Sequence, residues 1–331
     1  MLVLRRAGAG ERAWRPVGPV RRFLKQEKVA GWVFVAPWVI GFLGFNLYPL
    51  LATVYNSFTK LGLFGEAQWV GLKNYQQLFT QDAPFGRAIS NMLIYVVLTT
   101  TIYIVGGLLL ALLLQHKFPG NHFFRVIFYM PSLMVGVGIG SMMVQVFNGR
   151  NYGLINEALG LLHIPPVEWL NNYDHPWMSL VALIVTTFWF MGGAMLIFIA
   201  GLKGISKTYY EAAHIDGANA WRRFWSVTLP LLTPVLLFNT VMTLIGNIQA
   251  FALPLIFAGG GSGSVGAVVS VLGYHDSLSM FLTYLYQEGF VDHKYGYASA
   301  IAMVIFVITL LMTAIVLGVF QRFTFYQGSS E

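Results

Sequence analysis

Six stretches of this chain are long, apolar and almost free of charge, and that leaves few folds open. They run over about residues 30–56, 88–114, 123–147, 177–201, 231–257 and 297–320. Each can cross the roughly 30 Å hydrocarbon core of a bilayer as a helix. Asp, Glu, Lys and Arg are absent from their interiors, apart from Arg125 near the start of the third. A charge at the bilayer centre is costly, so this exclusion is what spanning helices require. The chain is 56% hydrophobic and 10% charged, with a mean hydropathy of +0.65, which a soluble core has no use for. The expected fold class is all-α integral membrane, with six transmembrane helices in contact with the lipid bilayer. The absence of cysteine removes disulfides, thiolate metal sites and thiol nucleophiles.

The net charge of +7 invites a nucleic-acid reading, but its distribution argues for topology instead. With the N-terminus in the cytoplasm, fifteen Lys and Arg fall on the inside, among them Arg5, Arg22, Lys28, Lys203, Arg222 and Arg322. Five fall outside: Lys60, Lys73, Arg87, Arg150 and Lys294. That positive-inside bias orients the chain and leaves no nucleic-acid partner to invoke. The expected organisation is a basic cytoplasmic tail over 1–29, a six-span domain over 30–322 and a cytoplasmic C-terminal tail over 323–331. No apolar run precedes Lys28, so the first span reads as an uncleaved helix rather than a signal peptide.

The segment between the fourth and fifth spans is too polar for the bilayer and too helix-prone for a loose connector. Over EAAHIDGANAWRRFWSVTLP, Asp216, Asn219, Arg222 and Arg223 alternate with Ala212, Ala213, Trp221 and Trp225, the pattern of one short amphipathic helix. Glu211 is expected near its start, at the positive end of the helix dipole. Leu229-Pro230 is expected to end it and open the fifth span. The spacing Glu211-Ala212-Ala213, Asp216-Gly217, Val227, Leu229-Pro230 resembles the EAA signature of the membrane subunits of ABC importers, with Val227 where that family usually has Ile. The resemblance implies a cytoplasmic coupling helix at these residues, docking into an ATPase subunit. It further implies two ATPase subunits holding ATP and Mg, a second homologous permease, and an extracellular or periplasmic solute-binding protein, all at the bacterial or archaeal inner membrane. The chain itself has no nucleotide motif: Gly259–Gly263 lacks a following GK[ST], and Gly201–Thr208 lacks the P-loop spacing. No cofactor and no catalytic residue is expected in it.

Polar groups at membrane depth mark a candidate path. Asn239, Thr243 and Asn247 lie four residues apart on one helix face, followed by Gln249 and Phe251. In hydrocarbon they must face other helices or a water-filled cavity, and interhelical hydrogen bonding explains any one of them as well as solute contact does. Thr228–Gly260 looks like the corresponding stretch of the maltose-type permeases. That resemblance puts Thr243 and Asn247 at sugar-contact positions, while Ala250 and Gly193 depart from the pattern. It implies import of a sugar or related hydroxylated solute by alternating access. Two alternatives stay open on the residues alone, an ion-coupled secondary carrier and an integral membrane enzyme. The spans offer no buried charge for the first, and the chain has no HExxH motif for the second. The outer loops, with Gln68–Tyr75, Asn171-Asn172 and an amphipathic stretch over Leu278–Tyr286, are expected to be a docking face.

Overall fold

The computed structural model describes residues 27–116, 118–134, 136–149, 153–170, 172–260 and 271–321. The basic tail before residue 27, the glycine-rich stretch beyond Gly260, Lys117, Arg150, Asn171 and the segment from Arg322 onward lie outside the described residues. The chain divides into two compact units, Met1–Thr53 and Val54–Glu331.

The first unit carries α1 (Glu27–Phe42), a π turn over Leu43–Leu47 and the start of α2 (Tyr48–Ser57). Large apolar side chains along it, such as Phe34 and Phe45, are exposed.

In the second unit a two-stranded ribbon, β1 (Thr59–Lys60) and β2 (Gln68–Trp69), precedes α3 (Lys73–Thr80). α4 (Ala83–Leu114) is the longest helix described, and Asp82 caps it by accepting from the Phe85 amide at 2.9 Å. Then come α5 (Asn121–Tyr129), α6 (Gly136–Val146), α7 (Leu154–Leu161), α8 (Met178–Val185) and α9 (Gly192–Gly204). α10 (Lys207–Ile215) and α11 (Ala220–Arg223) lead into α12 (Leu229–Ile248). α13 (Ala252–Gly260), α14 (Phe281–Tyr286) and α15 (Tyr295–Gln321) complete the described elements.

α4 is the axis of this unit: α9, α12 and α14 all pack on it. Small residues allow the close approach that bilayer packing needs. A Cβ on Gly107 of α4 would overlap Ala194 of α9, and one on Gly192 would overlap the Phe128 carbonyl of α5. Two apolar cores result. One joins Phe85, Met92, Ile139, Phe257, Phe281 and Ile301; the other joins Ala111, Met195, Phe198 and Leu232.

Among the described residues, four helices are long and apolar enough to cross a membrane unbroken: Gly31–Ser57, Ala83–Leu114, Ala220–Ile248 and Tyr295–Gln321. Three of the expected spans depart from simple helices. The third is broken by 102° between Asn121–Leu133 and Gly136–Val146, after Pro131 has tightened the chain into a 3-10 turn and Met134 has turned extended. The fourth bends by 41° between Met178–Phe190 and Gly192–Gly204, where Gly192 rests against the Phe128 carbonyl. The fifth stops at Ile248 and resumes as the separate α13. Leu278–Tyr286 is also not an amphipathic surface: Leu278, Met280, Phe281 and Tyr284 are all buried, and Phe281 packs against Phe85.

Candidate transport cavity and coupling segment

α12 presents its polar stripe to a cavity of about 500 Å³. Asn239, Thr243 and Asn247 line it together, as the i, i+4 spacing requires. The opposite wall comes from helices that the sequence did not single out: Tyr95 and Tyr103 of α4, Thr186, Thr187 and Phe190 of the 3-10 turn after α8, and Gly136 of α6. The signal was present in the 95, 99, 103 spacing of Tyr, Thr and Tyr, which share one face of α4. Among the described residues the lining combines hydroxyls, amides and aromatic rings with the apolar Leu183, Ile197, Met242 and Leu253, and contains no Asp, Glu, Lys, Arg or His.

The stripe is not uniform. The Asn247 amide donates to Thr99 Oγ1 at 2.9 Å and Thr100 Oγ1 at 3.1 Å, tying α12 to α4. Asn239 is 3% exposed, and its Nδ2 has no hydrogen-bond partner among the described residues. Gln249 and Phe251 do not line the cavity. Gln249 is exposed just past the end of α12, and the Phe251 ring lies 5.4 Å from that of Tyr286. At Gly193, where the resemblance predicts an aromatic side chain, a Cβ would come 2.6 Å from the Tyr103 hydroxyl. α4 thus brings an aromatic ring to the place from which α9 lacks one.

Beyond α9 the polar segment folds as two helices, not one. Ser206 caps α10 by accepting from the Thr208 amide at 3.4 Å. Gly217, at φ +71°, ends it: its amide donates to His214 at 3.0 Å and that of Ala218 to Ala213 at 2.9 Å, a Schellman termination. Glu211 is therefore mid-helix and exposed rather than at the positive end of a dipole. Asn219 then caps a new helix by accepting from the Arg222 amide at 2.8 Å. From Ala220 the helical path is unbroken to Ile248, so no break separates the segment from the fifth span, while the regular α-helix opens at Leu229 with Pro230 in its first turn, as expected. A π turn over Phe224–Thr228 makes the passage, with the Leu229 amide donating to Phe224. The first unit repeats the device, with a π turn over Leu43–Leu47 just before Tyr48-Pro49. In both, the carbonyl four residues before the proline, where the ring clashes in a regular helix, falls within the wider turn.

The exposed face of this elbow carries Glu211, Ala212, Asp216, Ile215 and Trp221, while Ala213 is buried. The Tyr210 hydroxyl lies 3.1 Å from Thr228 Oγ1 and joins α10 to the base of α12.

At the far end of α4, polar side chains tie several elements together. The Asp82 carboxylate accepts from the phenols of both Tyr284 and Tyr297. Glu288 accepts from Lys294 at 2.8 Å, and Arg87 pairs with Asp276 at 3.0 Å. Burial and the bond to Asp82 push the Tyr284 phenol well above its ordinary value, and the bond to Glu288 raises Lys294.

Residues 103–324 match the family described as "Binding-protein-dependent transport system inner membrane component". The probable ABC transporter permease protein YesP of Bacillus subtilis is 34% identical over 94% of this chain and 96% of its own length. The arabinooligosaccharides transport system permease protein AraP of the same organism is 33% identical, over 89% and 90%. A chain of a bacterial ABC transporter involved in the import of the acidic polysaccharide alginate has the same fold. Its TM-score is 0.75 at 21% identity, covering 92% of this chain and 99% of that one. The bent spans, the elbow after α9 and these matches lead to one identification: this multi-pass membrane chain belongs to the inner membrane permease components of binding-protein-dependent ABC transport systems.

Proposed function

We propose that this chain is one permease subunit of an ATP-driven importer that moves a neutral sugar, or a related hydroxylated solute, inward by alternating access. The observation that carries the sugar class is the cavity on α12, where amides, hydroxyls and aromatic rings stand among aliphatic side chains, with no charged side chain among the described lining residues. Such a wall suits a polyol and leaves a polyanion unpaired. The named solutes of relatives point the same way, including arabinooligosaccharides, multiple sugars and trehalose/maltose.

In this reading each bent helix pair is one span, giving six over 30–322, with the N-terminus and both tails in the cytoplasm. The elbow over Glu211, Ala212, Ala213, Asp216 and Gly217 is the coupling element, and Leu229 and Pro230 are its link to the path. It docks on one of two ATPase subunits that bind ATP and Mg. A second homologous permease completes the pathway, and an external binding protein delivers the solute. One solved neighbour, the alginate transporter, is itself described in complex with a pentasaccharide-bound periplasmic protein. Closure of the ATPases would press on α10, and the Tyr210–Thr228 contact would pass the movement to α12. The path would run past Asn239, Thr243 and Asn247, with Gln249 and Phe251 beyond the cavity towards the outside.

The test is co-purification and binding-protein-stimulated ATPase activity of the assembled complex, comparing wild type with Glu211→Lys and Gly217→Asp. Stimulated activity lost in either variant supports the coupling role. A chain that purifies without an ATPase and transports regardless of both changes would end this reading.

A further inference from the structure

The three polar residues of the α12 stripe differ in what holds them. Asn247 is engaged, since its amide nitrogen donates to two threonine hydroxyls on α4. Asn239 lies two turns earlier on the same face and at the same cavity, and its Nδ2 donates to no group among the described residues. A buried amide hydrogen without a protein acceptor destabilises the fold unless a water or a ligand takes it, and at a cavity wall a ligand can. An aliphatic side chain of similar size at that position would relieve the penalty.

We infer that Asn239 is the solute-specificity donor of this cavity and that Asn247 is a strut holding α12 against α4. This rests on the permease reading above and divides labour within it. Asn239 Nδ2 takes an uncharged oxygen acceptor, a hydroxyl or a ring or glycosidic oxygen, because the lining supplies no charged partner for an ionic group. At 3% exposure the donor is closed off from bulk water, so it is presented to a solute when the helices part during the transport cycle. The stripe then has a fixed end at Asn247 and a reading end at Asn239. The two asparagines, alike in sequence, should respond oppositely to the same substitution.

The experiment uses the assembled importer in proteoliposomes, with Asn239→Leu, Asn239→Ser and Asn247→Leu beside wild type. Two quantities are read: the thermal midpoint of the purified complex, and ATP-driven uptake of radiolabelled maltotriose and arabinotriose. Asn239→Leu should raise the midpoint by a few degrees while raising the uptake KM about tenfold, the size of one lost hydrogen bond in a site that excludes water. Asn239→Ser, which keeps a donor, should recover part of the uptake. Asn247→Leu should lower the midpoint, because it leaves Thr99 and Thr100 facing an alkyl group. A lower midpoint for Asn239→Leu would show that its amide has a structural partner and overturn the assignment, as would unchanged uptake of a transported trisaccharide. If wild type carries neither sugar, the solute is a different one, and the midpoints alone still decide whether Asn239 is the unpartnered donor: a lowered midpoint for Asn239→Leu overturns the assignment.

Discussion

At the scale of single residues, the helices are fixed by where a side chain is missing as much as by where one is present. Gly107 and Gly86 are both helical glycines of α4, yet only Gly107 has a neighbour in the way of a Cβ. Gly107→Leu is expected to destabilise the fold by roughly 1–3 kcal/mol or to abolish it, as overpacking does. Gly86→Ala should be neutral or slightly stabilising. Thermal unfolding of the purified protein followed by size-exclusion chromatography separates the two. Tyr284 makes a pH prediction. Its phenol is held above the ordinary 10.0 by burial and then by Asp82, so the folded state keeps a proton that the unfolded chain releases. Stability is unaffected below about pH 10 and falls as pH rises beyond it. Tyr284→Phe should flatten that alkaline fall while lowering stability at neutral pH, since Asp82 loses one donor. A variant that unfolds along the wild-type alkaline curve would show that another group controls it.

At the scale of elements, the elbow after α9 depends on one backbone conformation. Gly217 at φ +71° has open space where a Cβ would stand, so the obstacle to substitution is conformational rather than steric. Gly217→Val is expected to cost about 1–2 kcal/mol locally, and Gly217→Asn less, because asparagine tolerates the left-handed region. The expected outcome is a complex that still assembles but whose stimulated ATPase falls several-fold in the valine variant and far less in the asparagine one. Equal loss in both would mean that the glycine is needed for partner contact rather than for the turn. The EAA pattern was legible in the sequence, but its division into two helices was not. The 3.6-residue periodicity of the apolar positions continues through Gly217, and only the Schellman bonds and the Asn219 cap show that one helix ends there and another begins.

At the scale of the whole molecule, the prediction is topological, and the absence of cysteine makes it easy to test. Single-cysteine variants Lys73→Cys and Lys207→Cys can be labelled with an impermeant maleimide on intact cells. Lys73→Cys should react directly, and Lys207→Cys only after permeabilisation. The reverse would invert the orientation and place the elbow outside, away from any cytoplasmic ATPase. The family match also retires the ion-coupled carrier and the membrane enzyme that the residues alone left open.

The order of amino acids was enough for the membrane class, the approximate positions of the spanning segments and the family. Hydropathy is a sum over neighbouring residues, and the EAA spacing is local, so neither depends on what packs against what. Where the helices break is a matter of three dimensions, because Pro131, Gly192 and Gly217 act through a carbonyl or a turn that is visible only there. So is the choice of helices that meet at the cavity: Tyr95, Tyr103 and Thr186 line the same space as Asn239 across long stretches of chain. The same holds for the two asparagines of α12. Their spacing put them on one face, but a hydrogen bond is a relation between two groups. Only the placement of α4 gives Asn247 its partners and leaves the amide of Asn239 with none.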